Sequence, residues 1–156
     1  APDFSLAENV YLTARASHPL SKWGFLRPRE AVALAADIVG RFDVRTAGVG
    51  HAARSLSGGN LQKFVVGREI VRAPKVLVVS QPTWGVDAGA AALIRQALID
   101  VAAGGGAVLV ISQDLDELME ISSQFAVIAH GRLSAPMPRS QVTAATIGAL
   151  MGGTST

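Results

Sequence analysis

The stretch Leu56-Ser57-Gly58-Gly59-Asn60-Leu61-Gln62-Lys63 turns a loop into a helix. Ser57 has the hydroxyl of an N-cap, able to accept from the free N–H groups of a first helical turn. Gly58 and Gly59 leave those N–H groups unshielded by any Cβ. From Leu61 the pattern is helical: Leu61, Phe64 and Val65 share a face that Val66 and Ile70 widen. A serine hydroxyl, bare amides and the positive end of a helix dipole together suit a phosphate. A serine-capped helix after a glycine turn is also a common structural device, so the neighbouring chain decides between the two.

Toward the N-terminus the pattern is helical. Residues 3–11 carry Phe4, Leu6, Val10 and Tyr11, with Ser5 and Glu8 spaced as a capping box. Residues 15–27 hold His18-Pro19 and Trp23-Gly24 and read as a loop, with Trp23, Phe25 and Leu26 expected to anchor it to a core, the alternative being a contact patch. Pro28 opens an amphipathic helix with Val32, Ala35, Val39 and Phe42 on its face, Leu34 and Ile38 beside them. Residues 43–54, with Gly48 and Gly50, are a loop. The Ser57 helix then runs to about Arg72, ahead of Ala73-Pro74.

Toward the C-terminus the pattern changes. Val76-Leu77-Val78-Val79 is an apolar run of the kind buried on both faces of a parallel sheet, ended by Gln81-Pro82-Thr83-Trp84-Gly85. Ala90, Ile94, Ala97, Leu98 and Val101 repeat at helical spacing until Gly104-Gly105-Gly106. Residues 107–111 form a second buried strand, and Asp114 with Glu117 caps a helix bearing Leu115, Leu118 and Met119. Residues 125–129 are a third strand, turned by His130-Gly131 into a fourth over 132–135, with residues 136–139 as a linker. Ile147, Leu150 and Met151 mark a last helix. Alternating strands and helices imply right-handed crossovers and a parallel sheet.

The chain has 156 residues, 49% of them hydrophobic, with a mean hydropathy of +0.35, so a large core is expected. Its net charge is only +2, and no Lys/Arg stripe interleaved with aromatics supports nucleic-acid binding. There is no cysteine, which excludes disulfides and thiolate zinc sites. His18, His51 and His130 are scattered and lack metal-ligand spacing. No apolar run is long enough for a transmembrane helix, and no signal peptide is visible.

Leu56-Ser57-Gly58-Gly59-Asn60 resembles the LSGGQ signature of ABC-transporter ATPases. It precedes a strand resembling the Walker B strand, then Pro82-Thr83, Gly85-Val86 and Asp87, which matches the D-loop aspartate. Val110-Ile111-Ser112-Gln113-Asp114 is similar to the switch strand. Four motifs in one order make a chance match on an unrelated α/β domain the weakest reading. The tandem importers for simple sugars and nucleosides fit this resemblance best, because their second ATPase half often carries a Gln-Pro-Thr variant of this kind.

The resemblance implies an α/β fold: part of a P-loop NTPase core with parallel strands, plus a helical subdomain. It assigns residues 1–73 to the signature-bearing helical subdomain and 74–156 to the C-terminal part of the core. ATP with Mg2+ is the implied cofactor, bound between two ATPase domains, one of which offers its signature helix to the other. Ser57, Gly58, Gly59, Asn60 and Asp87 keep the nucleotide-binding pattern. Ser80 stands at the magnesium-associated aspartate, where a neutral hydroxyl supports a hard dication weakly. Gln81 stands at the catalytic glutamate; an amide can orient water but cannot take its proton. Gln113 stands at the switch histidine and carries no titratable proton.

No Gly-x-x-x-x-Gly-Lys-[Ser/Thr] occurs; the nearest string, Gly148 to Gly153 with Thr154-Ser155, lacks the lysine and is expected to fray. The resemblance places that Walker A motif upstream of Ala1, so the expectation is the C-terminal part of a longer domain. Its Walker A strand would lie between the strands matching 107–111 and 125–129. Without it, exposed edges are expected to be closed by local rearrangement or by pairing or swapping with another copy. The implied partners are a second ATP-binding domain and membrane-spanning permease subunits, on the cytoplasmic face of the membrane. The chain alone is expected neither to bind ATP tightly nor to hydrolyse it. The rival expectation is a non-catalytic docking module of a transporter complex.

Overall fold

The computed structural model describes residues 1–14, 20–23 and 25–152. The expectations for His18-Pro19, for Gly24 and for the tail from Gly153 lie outside the described residues; the start of the string expected to fray, Gly148 to Met151, is helical instead, because it continues the helix capped by Thr143. Residues Ala1–Gln113 form one compact unit, and a second begins at Asp114.

The first unit opens with α1 (Leu6–Ala14). Ser5 and Glu8 form the expected capping box: Ser5 donates its N–H and hydroxyl to Glu8 Oε2 at 2.8 and 2.7 Å, and Glu8 N donates back to Ser5 Oγ at 3.1 Å. Two short strands, β1 (Ser21–Lys22) and β2 (Phe25–Leu26), pair antiparallel. Pro28 begins α2 (Pro28–Arg41), where its missing N–H costs nothing. The buried face of α2 is Ala31, Ala35 and Ile38, continued by Phe42; Val32 points outward.

Next comes α3 (Gly58–Ile70), packed on α1, on α2 and on α4 (Ala88–Ala103). Its buried stripe is Lys63, Phe64, Val66, Gly67 and Ile70, whereas Val65 faces outward, one position off the expected face. Gly67 admits the Phe42 ring, since a Cβ there would meet two ring carbons at 2.5 and 2.9 Å. Strands β3 (Val76–Ser80) and β4 (Ala107–Ile111) pair in parallel, Val76 opposite Ala107 through Ser80 opposite Ile111. This is the expected parallel crossover through α4, which packs on β4.

Burial on both faces of this pair is not found. Leu77 is buried, but Val76 is 68% exposed and Leu109 56%, because alternate side chains point to opposite faces and one face is open. No third strand joins the pair among the described residues. The expected anchoring of Trp23, Phe25 and Leu26 in a core also fails. Trp23 is 89% exposed, and the two-residue strands lift all three side chains into solvent.

The second unit begins with α5 (Leu115–Ile121), capped by Asp114, which accepts from Glu117 N at 3.0 Å. The expected strand over 125–129 is divided. Gln124–Phe125 (β5) pairs antiparallel with Met137–Pro138 (β8), and Ile128–Ala129 (β6) pairs antiparallel with Arg132–Leu133 (β7). The Ser134 hydroxyl takes the N–H of Val127, which breaks the run between the pieces. His130 and Gly131 both have positive φ, +49° and +73°, as a two-residue turn between such strands requires. The expected linker thus contains a strand, β8. Last comes α6 (Ala144–Met151), with a capping box between Thr143 and Thr146.

Candidate nucleotide-contact turn

The Ser57 turn is held from both sides. Before it, the loop over residues 43–57 is stitched to the start of α1: Leu6 N donates to His51 O at 3.1 Å and Ala53 N to Phe4 O at 2.8 Å. The far end of that loop is tied to α3, because Arg45 N donates to Asn60 Oδ1 at 2.9 Å and Lys63 Nζ to Asp43 O at 3.0 Å. The turn sits at the first turn of α3, with Ser57 and Gly58 exposed.

Ser57 accepts from Asn60 Nδ2 at 2.9 Å and, at a longer 3.5 Å, from Asn60 N. Asn60 therefore braces the hydroxyl while its own oxygen braces the loop. The two glycines differ. A Cβ on Gly58 would meet nothing within 4 Å, whereas one on Gly59 would lie 2.8 Å from the carbonyl oxygen of Gly85. Gly59 is thus required by the protein's own packing, and Gly58 opens onto free space. As first-turn groups, the Gly58 and Gly59 N–H donors have no carbonyl within the helix to serve. A hydroxyl and donors at the positive helix end fit a phosphate group.

The loop ending β3 packs against α3. Gln62 Nε2 donates to Gln81 O at 3.2 Å and to Pro82 O at 3.1 Å. Gln81 has φ +49°, its N–H donates to Ile111 O at 2.8 Å, and its Oε1 lies 3.5 Å from the Ser112 hydroxyl. Asp87 caps α4, accepting from Ala90 N at 2.9 Å. That bond, with the Lys63 ammonium as a smaller aid, holds the Asp87 carboxyl below the usual aspartate range.

The turn and Asp87 are thus brought together through α3. Ser80 is the exposed last residue of β3. It and the Gln81 amide offer a metal ion no carboxylate, and no group of three or more His, Cys, Asp or Glu side chains among the described residues could hold one. This donor set does not fit a magnesium ion. Gln113 lies exposed beyond β4 and makes no hydrogen bond to the turn among the described residues.

Sequence reasoning missed Gln62, Lys63 and Asp43. The stripe that buries Lys63 beside Phe64, Gly67 and Ile70 emerges only in the structure. The lysine side chain is 7% exposed, with Asp43 Oδ2 at 3.7 Å and Asp87 Oδ2 at 3.8 Å.

The chain is 42% identical over 151 residues to the nucleoside import ATP-binding protein NupA of Lactococcus lactis subsp. cremoris, covering 97% of this chain and 30% of that protein. It is 39% identical over 153 residues to the guanosine import ATP-binding protein NupO of Bacillus subtilis, covering 98% and 30%. With the ribose import ATP-binding protein RbsA 2 of Streptomyces coelicolor the identity is 37% over 154 residues, covering 99% and 29%. The chain therefore spans less than a third of the length of these relatives. No family profile matches it. Among solved structures, a dimeric ATP-binding cassette in a post-hydrolysis state with ADP and Pi superposes with a TM-score of 0.74 at 21% identity, covering 89% of this chain and 58% of that one. An ATP-binding subunit of an ABC transporter gives 0.76 at 16% identity, covering 97% and 64%. At these identities the structural likeness is one of fold.

Proposed function

The chain belongs to the ATP-binding proteins of ABC transporters, and from that premise we propose that it completes a nucleotide site on another ATPase domain. In this reading Ser57, Gly58, Gly59 and Asn60 offer a hydroxyl and helix-end donors to the phosphates of ATP, whose remaining contacts come from the other domain. The observation that carries the reading is the turn itself, exposed at the start of α3 with Gly58 facing open space. The bound nucleotide would supply the phosphoanhydride chemistry; this chain's residues bind and orient it.

The residues matching the other role are degenerate. Ser80 and Gln81 lack the carboxylates for metal holding and proton removal, and Gln113 cannot titrate. The chain alone is therefore proposed to bind ATP poorly and not to hydrolyse it. The helical residues 1–73 dock to permease subunits on the cytoplasmic face of a membrane, and residues 74–156 belong to the α/β core. The transported solute is proposed to be a nucleoside or simple sugar, following the names of the relatives. The free edges of β3 and β4 would pair with another chain or another part of a longer one.

The test is Ser57→Trp in the complete importer. Loss of transport and ATP hydrolysis with an intact fold is expected, and unchanged transport would overturn the reading. Micromolar ATP affinity or steady phosphate release by the isolated chain would overturn the proposal that it is inactive alone. A second reading, a docking module without a nucleotide role, draws on the exposed Trp23, Phe25 and Leu26. It predicts that Ser57→Trp is silent while charged substitutions at those three abolish assembly.

A further inference from the structure

We propose that Lys63 is a positioning residue that locks the Ser57 turn to Asp87, so that contact at the turn is passed to the loop ending β3. The inference rests on the reading of the turn as a nucleotide contact. An apolar residue would fill the α3 stripe at this place without needing partners. Instead the chain buries an ammonium, with 7% of the side chain exposed, and brings three oxygens to it. Asp43 O is at 3.0 Å, Asp43 Oδ2 at 3.7 Å and Asp87 Oδ2 at 3.8 Å. Both carboxylates are more than two-thirds exposed, so each could turn to water and neither needs the lysine for its own solvation.

Lys63 is also the last of three links from one helix start to one loop. Gly59 touches Gly85, Gln62 holds the carbonyls of Gln81 and Pro82, and Lys63 faces Asp87. The first two are uncharged contacts with backbone. Only the third pairs two charged side chains, and it joins the α3 stripe to the cap of α4. A shift of the Ser57 turn along α3 would therefore move the ammonium away from Asp87 and alter the start of α4. The coupling runs through contiguous packed and hydrogen-bonded groups.

The experiment uses the complete ATP-binding protein assembled with its membrane subunits, with hydrolysis followed against ATP concentration. Lys63→Met keeps the apolar stem and strands no buried charge, because its carboxylate partners are exposed. It is expected to lower the maximal rate by about three- to thirtyfold, while the half-saturating ATP concentration moves by less than about twofold. Lys63→Arg should recover at least about half of the loss, the charge being kept. Asp87→Asn preserves the cap of α4, and combined with Lys63→Met it should be no slower than Lys63→Met alone if the two act as one unit.

A full maximal rate in Lys63→Met, equal loss in Lys63→Arg, or additive loss in the double variant would overturn the proposal. If Lys63→Met does not fold, Asp87→Asn carries the test by itself: a wild-type rate there overturns it. Ser57→Trp in the same preparation separates the two levels. A silent Ser57→Trp defeats the underlying reading, whereas an inactivating Ser57→Trp beside a silent Lys63→Met defeats this inference alone.

Discussion

Gly59 stands so close to Gly85 that a methyl group on its α-carbon would lie 2.8 Å from the Gly85 carbonyl oxygen. The obstructing atom is backbone in a turn with φ +71°, so it cannot swing aside as a side-chain tip could. Gly59→Ala should therefore destabilise the fold by about 1–3 kcal/mol, as overpacking does. Gly58→Ala, with nothing within 4 Å, should change stability by less than about 0.5 kcal/mol yet impair nucleotide contact by shielding the amides. Urea midpoints of the two variants, set beside hydrolysis in the assembled protein, check both halves. A stable Gly59→Ala would mean that the turn is not seated against the loop after β3.

The helical half allows a test independent of function. Gly67→Ala puts a methyl into the Phe42 ring at 2.5 Å and should cost about 1–3 kcal/mol unless the ring moves. Gly40 lies exposed in the last turn of α2, with nothing within 4 Å of its would-be Cβ. Gly40→Ala should stabilise by up to about 1 kcal/mol through helix propensity. Thermal midpoints moving in opposite directions meet the expectation, and a shared direction contradicts it.

Motif order, helix caps and the parallel crossover were legible because each rests on local chemistry. Ser5 with Glu8, Pro28, Ser57 and Asp114 stand at or beside helix starts, where their side chains or ring dictate the backbone, whereas the cap that Asp87 places on α4 was not read from the sequence. The environment of long apolar residues was less legible. Val76, Val78, Leu109 and Ile111 look like strand core, but hydropathy cannot say whether a covering layer is present. Phe125 to Ala129 reads as one strand until the Ser134 hydroxyl, seven residues past Val127, takes a ladder donor. In the site, the turn was readable from its glycines, while the Lys63 link to Asp87 spans 24 positions and needed coordinates.

Acid should reveal two carboxylates. Glu8 is held below its ordinary range by the Ser5 hydroxyl and then by the Ser5 N–H, and Asp87 by the Ala90 N–H. For each, the folded value lies below the unfolded one. The stability contributed is therefore complete above the unfolded value, 4.5 for glutamate and 3.8 for aspartate, and is lost as pH falls through the folded value. Glu8→Gln should accordingly lower the thermal midpoint at about pH 7 and lose its difference from wild type as the solution is acidified below about pH 4. Parallel curves across that range would show that the Ser5–Glu8 box does not favour the charged carboxylate.

Restoring charge at the end of β3 tests whether Ser80 and Gln81 occupy the metal and base positions. Ser80 is exposed at the strand end, so an aspartate there meets no desolvation penalty. Gln81 already has its Oε1 at 3.5 Å from the Ser112 hydroxyl, which can donate to a carboxylate as well as to an amide. Neither change should disturb Gln81 N to Ile111 O or Gln62 to Gln81 O, because both bonds use backbone atoms of Gln81. Gln81→Glu alone supplies a proton acceptor but leaves the dication without a charged ligand, so it should do little. Ser80→Asp with Gln81→Glu should raise hydrolysis by the complete protein by about a hundredfold or more, the lower part of what a positioned base contributes. Single-turnover phosphate release resolves the two variants. An equal rate in both would place the chemistry elsewhere than at the end of β3.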